Sequence, residues 1–566
     1  MRKIFYFKIM EKLTISSILL NSLETKGDNI AMSFVGEEGI SYRELGIKIQ
    51  ETAGLLNLLG LKKGDRVVIL GENMPNWGVA YLSVIFPGGV AVPVLPDFKE
   101  AEVSSIIVHS GTSIVFVSEK HFIRLKEFFT KLPIPVISLD TLTLVNDPDN
   151  RASTVKPLDC INSSTSLIEE EDLASIIYTS GTTGSSKGVM LSHKNIAWMV
   201  KVSRDIPDVV ETDRFLSILP MSHTYENSLG FLLALYAGAS VHYLRKLPTS
   251  PVLLEAFQKV RPTMFLTVPL IIEKIYRKQV IPKMNSKFIT RSLFKFTPTR
   301  VLLNRVAGKK LMKTFGGELR FFGIGGAKLD PIIEKHLREA KFPYAIGYGL
   351  TETSPLLAGA APFKSKWQAT GPAVVGLELR IADPNPETGE GEIQAKGPNV
   401  MKGYYKNTEQ TAAVFTEDGW FKTGDLGFID SDGIVFIRGR IKNVLLGTNG
   451  ENIYPEEIEA ILNGIEFIEE SLVVQEEGKI GALININLKD FENKIVKLNE
   501  KVMHVAHDTI DDLLSEAQKF VNQRVNRFSK IHFIKLQADP FEKTPTNKIK
   551  RFLYSGKSED KKPKAS

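Results

Sequence analysis

Thr179, Ser180, Gly181, Thr182, Thr183, Gly184 and Lys187 crowd into one short stretch between two apolar runs, Ser175-Ile176-Ile177-Tyr178 and Val189-Met190-Leu191. Hydroxyls, glycines and one ammonium in that order suit a polyphosphate. Glycine lets the backbone come close and take positive φ, so successive N–H groups can point at anionic oxygens. The Ser and Thr hydroxyls add donors, and Lys187 adds a compact positive charge. A nucleotide P-loop would need Gly-Lys-Ser/Thr with a helix directly after it. Here Lys187 follows Ser186 and precedes Gly188, and a strand-like run comes next. Taken alone, such a stretch serves more often as a plain connection.

Other residues extend the same chemistry. His223 and Glu226 lie in Leu219-Pro220-Met221-Ser222-His223-Thr224-Tyr225-Glu226, after an apolar run whose end is where ligand sites of α/β sheets gather. One His and one Glu are too few for a metal centre, and a structural histidine is the alternative. Gly325, Gly326 and Ala327 end a second apolar run. Small residues there admit a flat adenine against the backbone, or simply make a tight turn. In Ile346-Gly347-Tyr348-Gly349-Leu350-Thr351-Glu352-Thr353, Tyr348 offers a face to a base. Glu352 offers a carboxylate oxygen to Mg²⁺ beside phosphate oxygens; a buried structural Glu is the alternative. Asp425, in Trp420-Phe421-Lys422-Thr423-Gly424-Asp425-Leu426, can accept from ribose hydroxyls, and Arg440 can donate to them.

These strings, with Phe541-Glu542-Lys543-Thr544-Pro545-Thr546-Asn547-Lys548-Ile549-Lys550-Arg551, occur in the order of the adenylate-forming (AMP-binding) superfamily, which the chain resembles over about 14–554. That superfamily includes acyl-CoA synthetases, luciferases and peptide-synthetase adenylation domains. The string Gly450-Glu451-Asn452-Ile453-Tyr454-Pro455-Glu456-Glu457-Ile458-Glu459 is most similar to long-chain fatty acid–CoA ligases. The resemblance implies ATP-dependent conversion of a fatty acid to acyl-AMP and pyrophosphate, then transfer to coenzyme A. It implies phosphate-holding roles for the stretch at 179–187, and it places His223 beside the acyl group and phosphates. Gly325, Gly326, Ala327, Tyr348 and Gly349 would take the base, and Thr351 the α-phosphate. Glu352 would hold Mg²⁺, and Asp425 and Arg440 the ribose. Lys548 would be the catalytic lysine, bridging carboxylate and α-phosphate; Lys543 and Lys550 are weaker candidates. Asn547 stands where the family has glycine, and Asn also tolerates left-handed angles. Lys442 matches the family's hinge, about which Lys548 would leave and 446–452 approach. The alternatives are an aryl or short-chain acid, a carrier-protein acceptor, or a catalytically silent nucleotide-binding protein at a membrane. No carrier domain is expected after the C-terminal unit, so a peptide-synthetase module is not the expected reading.

Strands and helices must alternate to hold these segments. Ser41-Tyr42-Arg43-Glu44 is a capping box, followed by helical spacing of Leu45, Ile49, Ala53 and Leu56. Apolar runs at 65–70, 90–94, 114–117, 214–219, 263–268 and 319–324 read as strands, with helices at 77–85 and 225–236 and others opening at Pro251 and Pro331. Such alternation means a largely parallel α/β sheet. From 371, short strands and glycines suggest a small antiparallel unit. The expected architecture is α/β: a large N-terminal domain (1–439) of layered sheets (14–370) with a β-rich subdomain (371–439). A hinge at 440–442, a smaller mobile α+β domain at 443–554 and a disordered tail at 555–566 follow. A helical region at 491–528 carries His504, His507 and Asp508, where a solvated face is preferred to a metal site.

At 566 residues, with 43% hydrophobic and 24% charged residues, the chain can fill several cores without staples. The lone Cys160 forbids an intrachain disulfide and fits a reducing compartment. The net charge of +6 calls for no nucleic acid. No run approaches the ~18 apolar residues of a membrane span, and Lys8, Glu11 and Lys12 interrupt the N-terminal run too early for a signal peptide. A cytoplasmic protein is expected. Between Lys274 and Gly317 stand twelve Lys or Arg and no Asp or Glu, interleaved with Phe, Leu and Val. That pattern suggests contact with an anionic membrane surface on its inner face, or a plain solvated hairpin.

Overall fold

The computed structural model describes residues 12–148, 168–179, 186–280, 296–447, 451–465, 467–488, 510–544 and 548–554. It is α/β, with a large N-terminal domain and a smaller C-terminal one. An eight-stranded sheet runs Gly403–Tyr404, Lys187–Ser192, Leu173–Thr179, Val90–Val94, Arg66–Leu70, Thr112–Val117, Val136–Ser138, Leu144–Asn146. Its centre is parallel. A seven-stranded sheet runs Tyr344–Ile346, Phe321–Ile324, Met264–Thr267, Arg214–Ser217, Ser240–Tyr243, Ile30–Phe34, Gly39–Ser41, and only its last pair is antiparallel.

One apolar core joins the two sheets. The helix Pro75–Ile85 lies in it and buries every residue from Trp77 to Ile85, as expected of a helix apolar on all sides. Gly78 makes the fit possible: a Cβ there would come within 2.8 Å of the Phe231 ring. The capping box forms as read, with the Glu44 carboxylate accepting from the Ser41 N–H at 2.7 Å and the Ser41 hydroxyl accepting from the Glu44 N–H at 3.2 Å.

Two local readings change. The run at 214–219 ends as a strand at Ser217. The helix expected at 225–236 is wound as a π-helix over Tyr225–Leu232, then as an α-helix over Leu233–Ala237. The buried Glu226 side chain gives a reason. A Cβ on Gly230 would lie only 2.6 Å from its Oε1, and the wider turn carries the chain past that carboxyl.

From Gly371 the chain forms a five-stranded antiparallel sheet, Gly371–Pro372, Ile434–Arg440, Phe421–Ile429, Gly391–Lys396, Glu378–Ala382. The short turn Ile441–Asn443 leads onward. The C-terminal unit sets the helices Pro455–Leu462 and Ile510–Asn522 on a sheet of Ile468–Glu476, Lys479–Ile486 and Phe533–Leu536. It docks on the larger domain through Lys328 and Glu457 at 3.1 Å and through the Tyr454 hydroxyl, which donates to Glu390 at 2.8 Å. His504, His507, Asp508 and 555–566 lie outside the described residues.

Candidate active site

Register builds one end of the site. Asp425 and Arg440 are direct partners on the antiparallel strands Phe421–Ile429 and Ile434–Arg440. The Arg440 Nε lies 2.7 Å from Asp425 Oδ1, and the Tyr348 hydroxyl donates to Oδ2 at 2.8 Å. Asp425 is 5% exposed. Burial lifts its carboxyl above the usual range, against the opposite pull of Arg440, Tyr348 and Lys548. Tyr348–Gly349 pairs antiparallel with Leu356–Ala358. Glycine is required there, since a Cβ on Gly349 would sit 1.7 Å from the Pro355 carbonyl oxygen.

A second group surrounds Glu352, on the single turn Thr351–Thr353. The Tyr404 hydroxyl donates to Glu352 Oε1 at 2.9 Å. The Lys187 ammonium stands 5.0 Å from the centre of the Tyr404 ring. Burial first, and then nearby Lys442, draw Lys187 below the usual lysine range, while Glu352 pulls the other way. Thr179 and Lys187 are register partners at the loop end of the hairpin. Ser180, Gly181, Thr182, Thr183 and Gly184 between them lie outside the described residues. Gly188 is needed beside Lys187, because a Cβ would lie 2.8 Å from Ile176.

Lys548 comes from the C-terminal domain. Its carbonyl accepts from the Thr544 N–H at 2.8 Å, and Lys543 and Ile549 form an antiparallel bridge around it. Its ammonium is drawn below the usual range by burial and by Arg440; Asp425 and Glu352 counter this. The residue keeps exposed surface, so the desolvation comes from the walls of a cleft and not from a sealed core. His223 faces the same lysine. Burial, with Lys548, lowers its pKa to about 4. Its Nδ1 accepts from the Tyr225 N–H at 3.3 Å, which assigns the ring proton to Nε2. The fold therefore gathers His223, Glu352, Asp425, Arg440 and Lys548, which span most of the chain, around one cleft.

Gly325 is buried at the end of the strand Phe321–Ile324, and Gly326 and Ala327 present exposed surface. Gly326 needs its φ of +85°, and a Cβ on Gly325 would meet the Tyr225 ring at 3.1 Å. Below them lies an apolar cavity of ≈ 50 Å³. Val209, Phe215, Leu229, Leu233, Met264 and Phe321 line it, and no charged side chain among the described residues does. Among the described residues, Ser203 and Tyr225 supply its only side-chain hydroxyls.

Sequence reasoning missed Tyr404 and this lining. No spacing rule unites residues from so many elements, and Tyr404 sits in the unremarkable Gly403-Tyr404-Tyr405. Among the described residues no three His, Cys, Asp or Glu gather as an all-protein metal cage. Glu352, with Oε1 engaged by Tyr404 and Oε2 without a partner among the described residues, instead fits the single carboxylate that Mg²⁺ takes when phosphates complete its shell.

Residues 19–405 match the protein family described as AMP-binding enzyme. The chain is 28% identical to the 4-coumarate–CoA ligase of Vanilla planifolia, over 91% of this chain and 88% of that one. It is also 28% identical to the long-chain-fatty-acid–CoA ligase FadD15 of Mycobacterium tuberculosis, over 92% and 90%. The solved structure of ATP-bound MatB from Rhodopseudomonas palustris shares the fold, with a TM-score of 0.75 at 24% identity over 96% of this chain and 98% of that one.

Proposed function

The chain belongs to the AMP-binding enzyme family, and we propose that it is an AMP-forming acid–CoA ligase whose acid is a fatty acid of the long-chain class. The apolar cavity carries the choice of acid. An aryl acid bearing a hydroxyl would want a buried polar partner. The lining offers Ser203, whose hydroxyl is already directed at the Met199 sulfur at 3.2 Å, and Tyr225. An alkyl chain needs neither. It would enter by rotamer shifts of Leu229, Leu233 and the pliable Met264.

In this reading the cleft's own residues position two anions and neutralise charge. Asp425 and Arg440 hold the ribose of ATP, with Tyr348, Gly349, Gly325, Gly326 and Ala327 around the base. Lys187, the stretch at 179–184 and Thr351 hold the phosphates. Glu352 would hold Mg²⁺, whose charge, when bound, offsets that of the phosphates. Lys548 draws the carboxylate and α-phosphate together. The carboxylate oxygen bonds to α-phosphorus, and pyrophosphate leaves with the electron pair. His223, uncharged at neutral pH, can donate from Nε2 beside the acyl group. Rotation about Lys442 would then withdraw Lys548. The coenzyme A thiolate attacks the acyl carbon, and AMP leaves.

Peripheral contact with an anionic membrane through 274–317, on the cytoplasmic side, belongs to the same reading, since fatty acids partition into bilayers. No helix among the described residues is long and apolar enough to cross a membrane. The test is pyrophosphate exchange and AMP release across fatty acids of graded length and aryl acids, with and without coenzyme A. Exchange led by fatty acids, with AMP release dependent on coenzyme A, is expected. Exchange led by an aryl acid would overturn the choice of acid, and AMP release only with an acyl-carrier protein would overturn the choice of acceptor.

A further inference from the structure

A second, larger concavity lies between the helices Ser250–Val260 and Thr297–Thr314, an open groove of ≈ 680 Å³. Arg305, Lys309 and Lys313 line one wall at four-residue spacing, and Lys341 and Arg261 complete it. Among the described residues no Asp or Glu lines the groove. Arg261 is paired with Glu318 at 2.6 Å. Arg305, Lys309, Lys313 and Lys341 have no ion pair among the described residues, and the helix Thr297–Thr314 contains no acidic residue. Like charges one turn apart repel and destabilise a helix. The arrangement is therefore one that an anion would relieve.

The same outer face carries an apolar stripe. Leu302 is 63% exposed and Val306 62%, and Phe296, just before the helix, is 66% exposed. Arg305 and Lys309 flank Val306 along that face. Cations beside exposed aliphatic and aromatic side chains match the two halves of a lipid interface, headgroup phosphate and acyl boundary. A nucleic acid or a free phosphate would engage the cations alone.

We infer that this groove and stripe form a docking surface for an anionic phospholipid bilayer. The headgroup phosphates would sit against Arg305, Lys309, Lys313 and Lys341, with Phe296, Leu302 and Val306 pressed into the interface. This gives the membrane contact read from 274–317 a defined place, and it brings in Arg261 and Lys341, which that segment does not contain.

The test is co-sedimentation of the full chain with vesicles of phosphatidylcholine alone or mixed with phosphatidylglycerol. Recovery with the anionic vesicles is expected. The double variant Lys309→Gln/Lys313→Gln should partition about 25-fold more weakly, at roughly fivefold per cation. Leu302→Ser/Val306→Ser should lose the binding that survives at high salt, where the charges are screened. Thermal melting of both variants checks that the fold is kept. Equal recovery with neutral and anionic vesicles, or wild-type recovery of both variants, would overturn the inference. So would equally tight binding of a DNA duplex that needs Lys309 and Lys313 but not Leu302 and Val306. Binding and melting are read without turnover, so the outcome does not depend on which acid is activated.

Discussion

At the end of the cleft proposed to take the ribose, buried Asp425 has both carboxylate oxygens engaged, one by Arg440 at 2.7 Å and one by Tyr348 at 2.8 Å. At the end proposed to take the acyl group, Ser222, Thr224, Glu226, Asn227 and Ser228 each bury a side-chain polar atom without a partner among the described residues. The ribose end is held by strand register, which fixes donors and acceptors before any ligand arrives. The acyl end is held by a π-helix beside an apolar cavity, and π-turns recur where function takes precedence over regular winding. Unpartnered buried groups cost stability. The contrast is between a preformed polar clamp, proposed for the nucleotide, and a less settled wall, proposed for the acyl chain. Glu226 illustrates the cost: burial pushes its carboxyl up to about 8, so it is protonated at neutral pH.

Four substitutions test that contrast, the largest effect first. Lys548→Ala should lower adenylation by ~10²-fold or more, as expected for loss of a charge aimed at the transition state. It should spare thioester formation from supplied acyl-AMP; pyrophosphate exchange and a thioester assay read the two steps. Equal loss of both would remove Lys548 from the role. Asp425→Ala should raise KM for ATP roughly ten- to a hundredfold, the loss of charge-assisted bonds, with KM for the acid nearly unchanged. A comparable rise in both would show that the two ends are not separable. Leu229→Trp should do the converse, lowering exchange with long acids roughly tenfold while short acids retain theirs.

Glu226→Gln should change turnover least and reveal itself through pH. The folded pKa of Glu226 lies above its ordinary value of 4.5, at about 8. Its contribution to stability is therefore full below 4.5 and is lost as pH rises towards 8. The variant should melt higher than the parent at pH 8, and the gap should close by pH 5. The same gap at both pH values would mean that Glu226 is not buried as a neutral acid. His193, fully buried, has the opposite sign. Its pKa falls to about 4, so stability is lost as pH drops from 6.5 towards 4, by on the order of 3 kcal/mol.

Local chemistry determined much of this protein from the sequence alone. The capping box at Ser41, the strand–loop–strand setting of Lys187 and the antiparallel unit after Gly371 were legible, because each depends on residue type and near neighbours; Tyr348, Glu352, Asp425 and Arg440 were candidates by residue type, and Lys548 became one only through the family resemblance of its motif. Tertiary structure decided the rest. It set Asp425 opposite Arg440 by register and brought Lys548 to both from the last strand-like segment. It added Tyr404 to Glu352 and closed an apolar cavity from elements scattered between Ser203 and Ala360. The winding at Tyr225–Leu232 was also unreadable, since it answers to where one carboxyl must fit. Contacts between distant segments arise from packing, and packing leaves no periodicity in the chain.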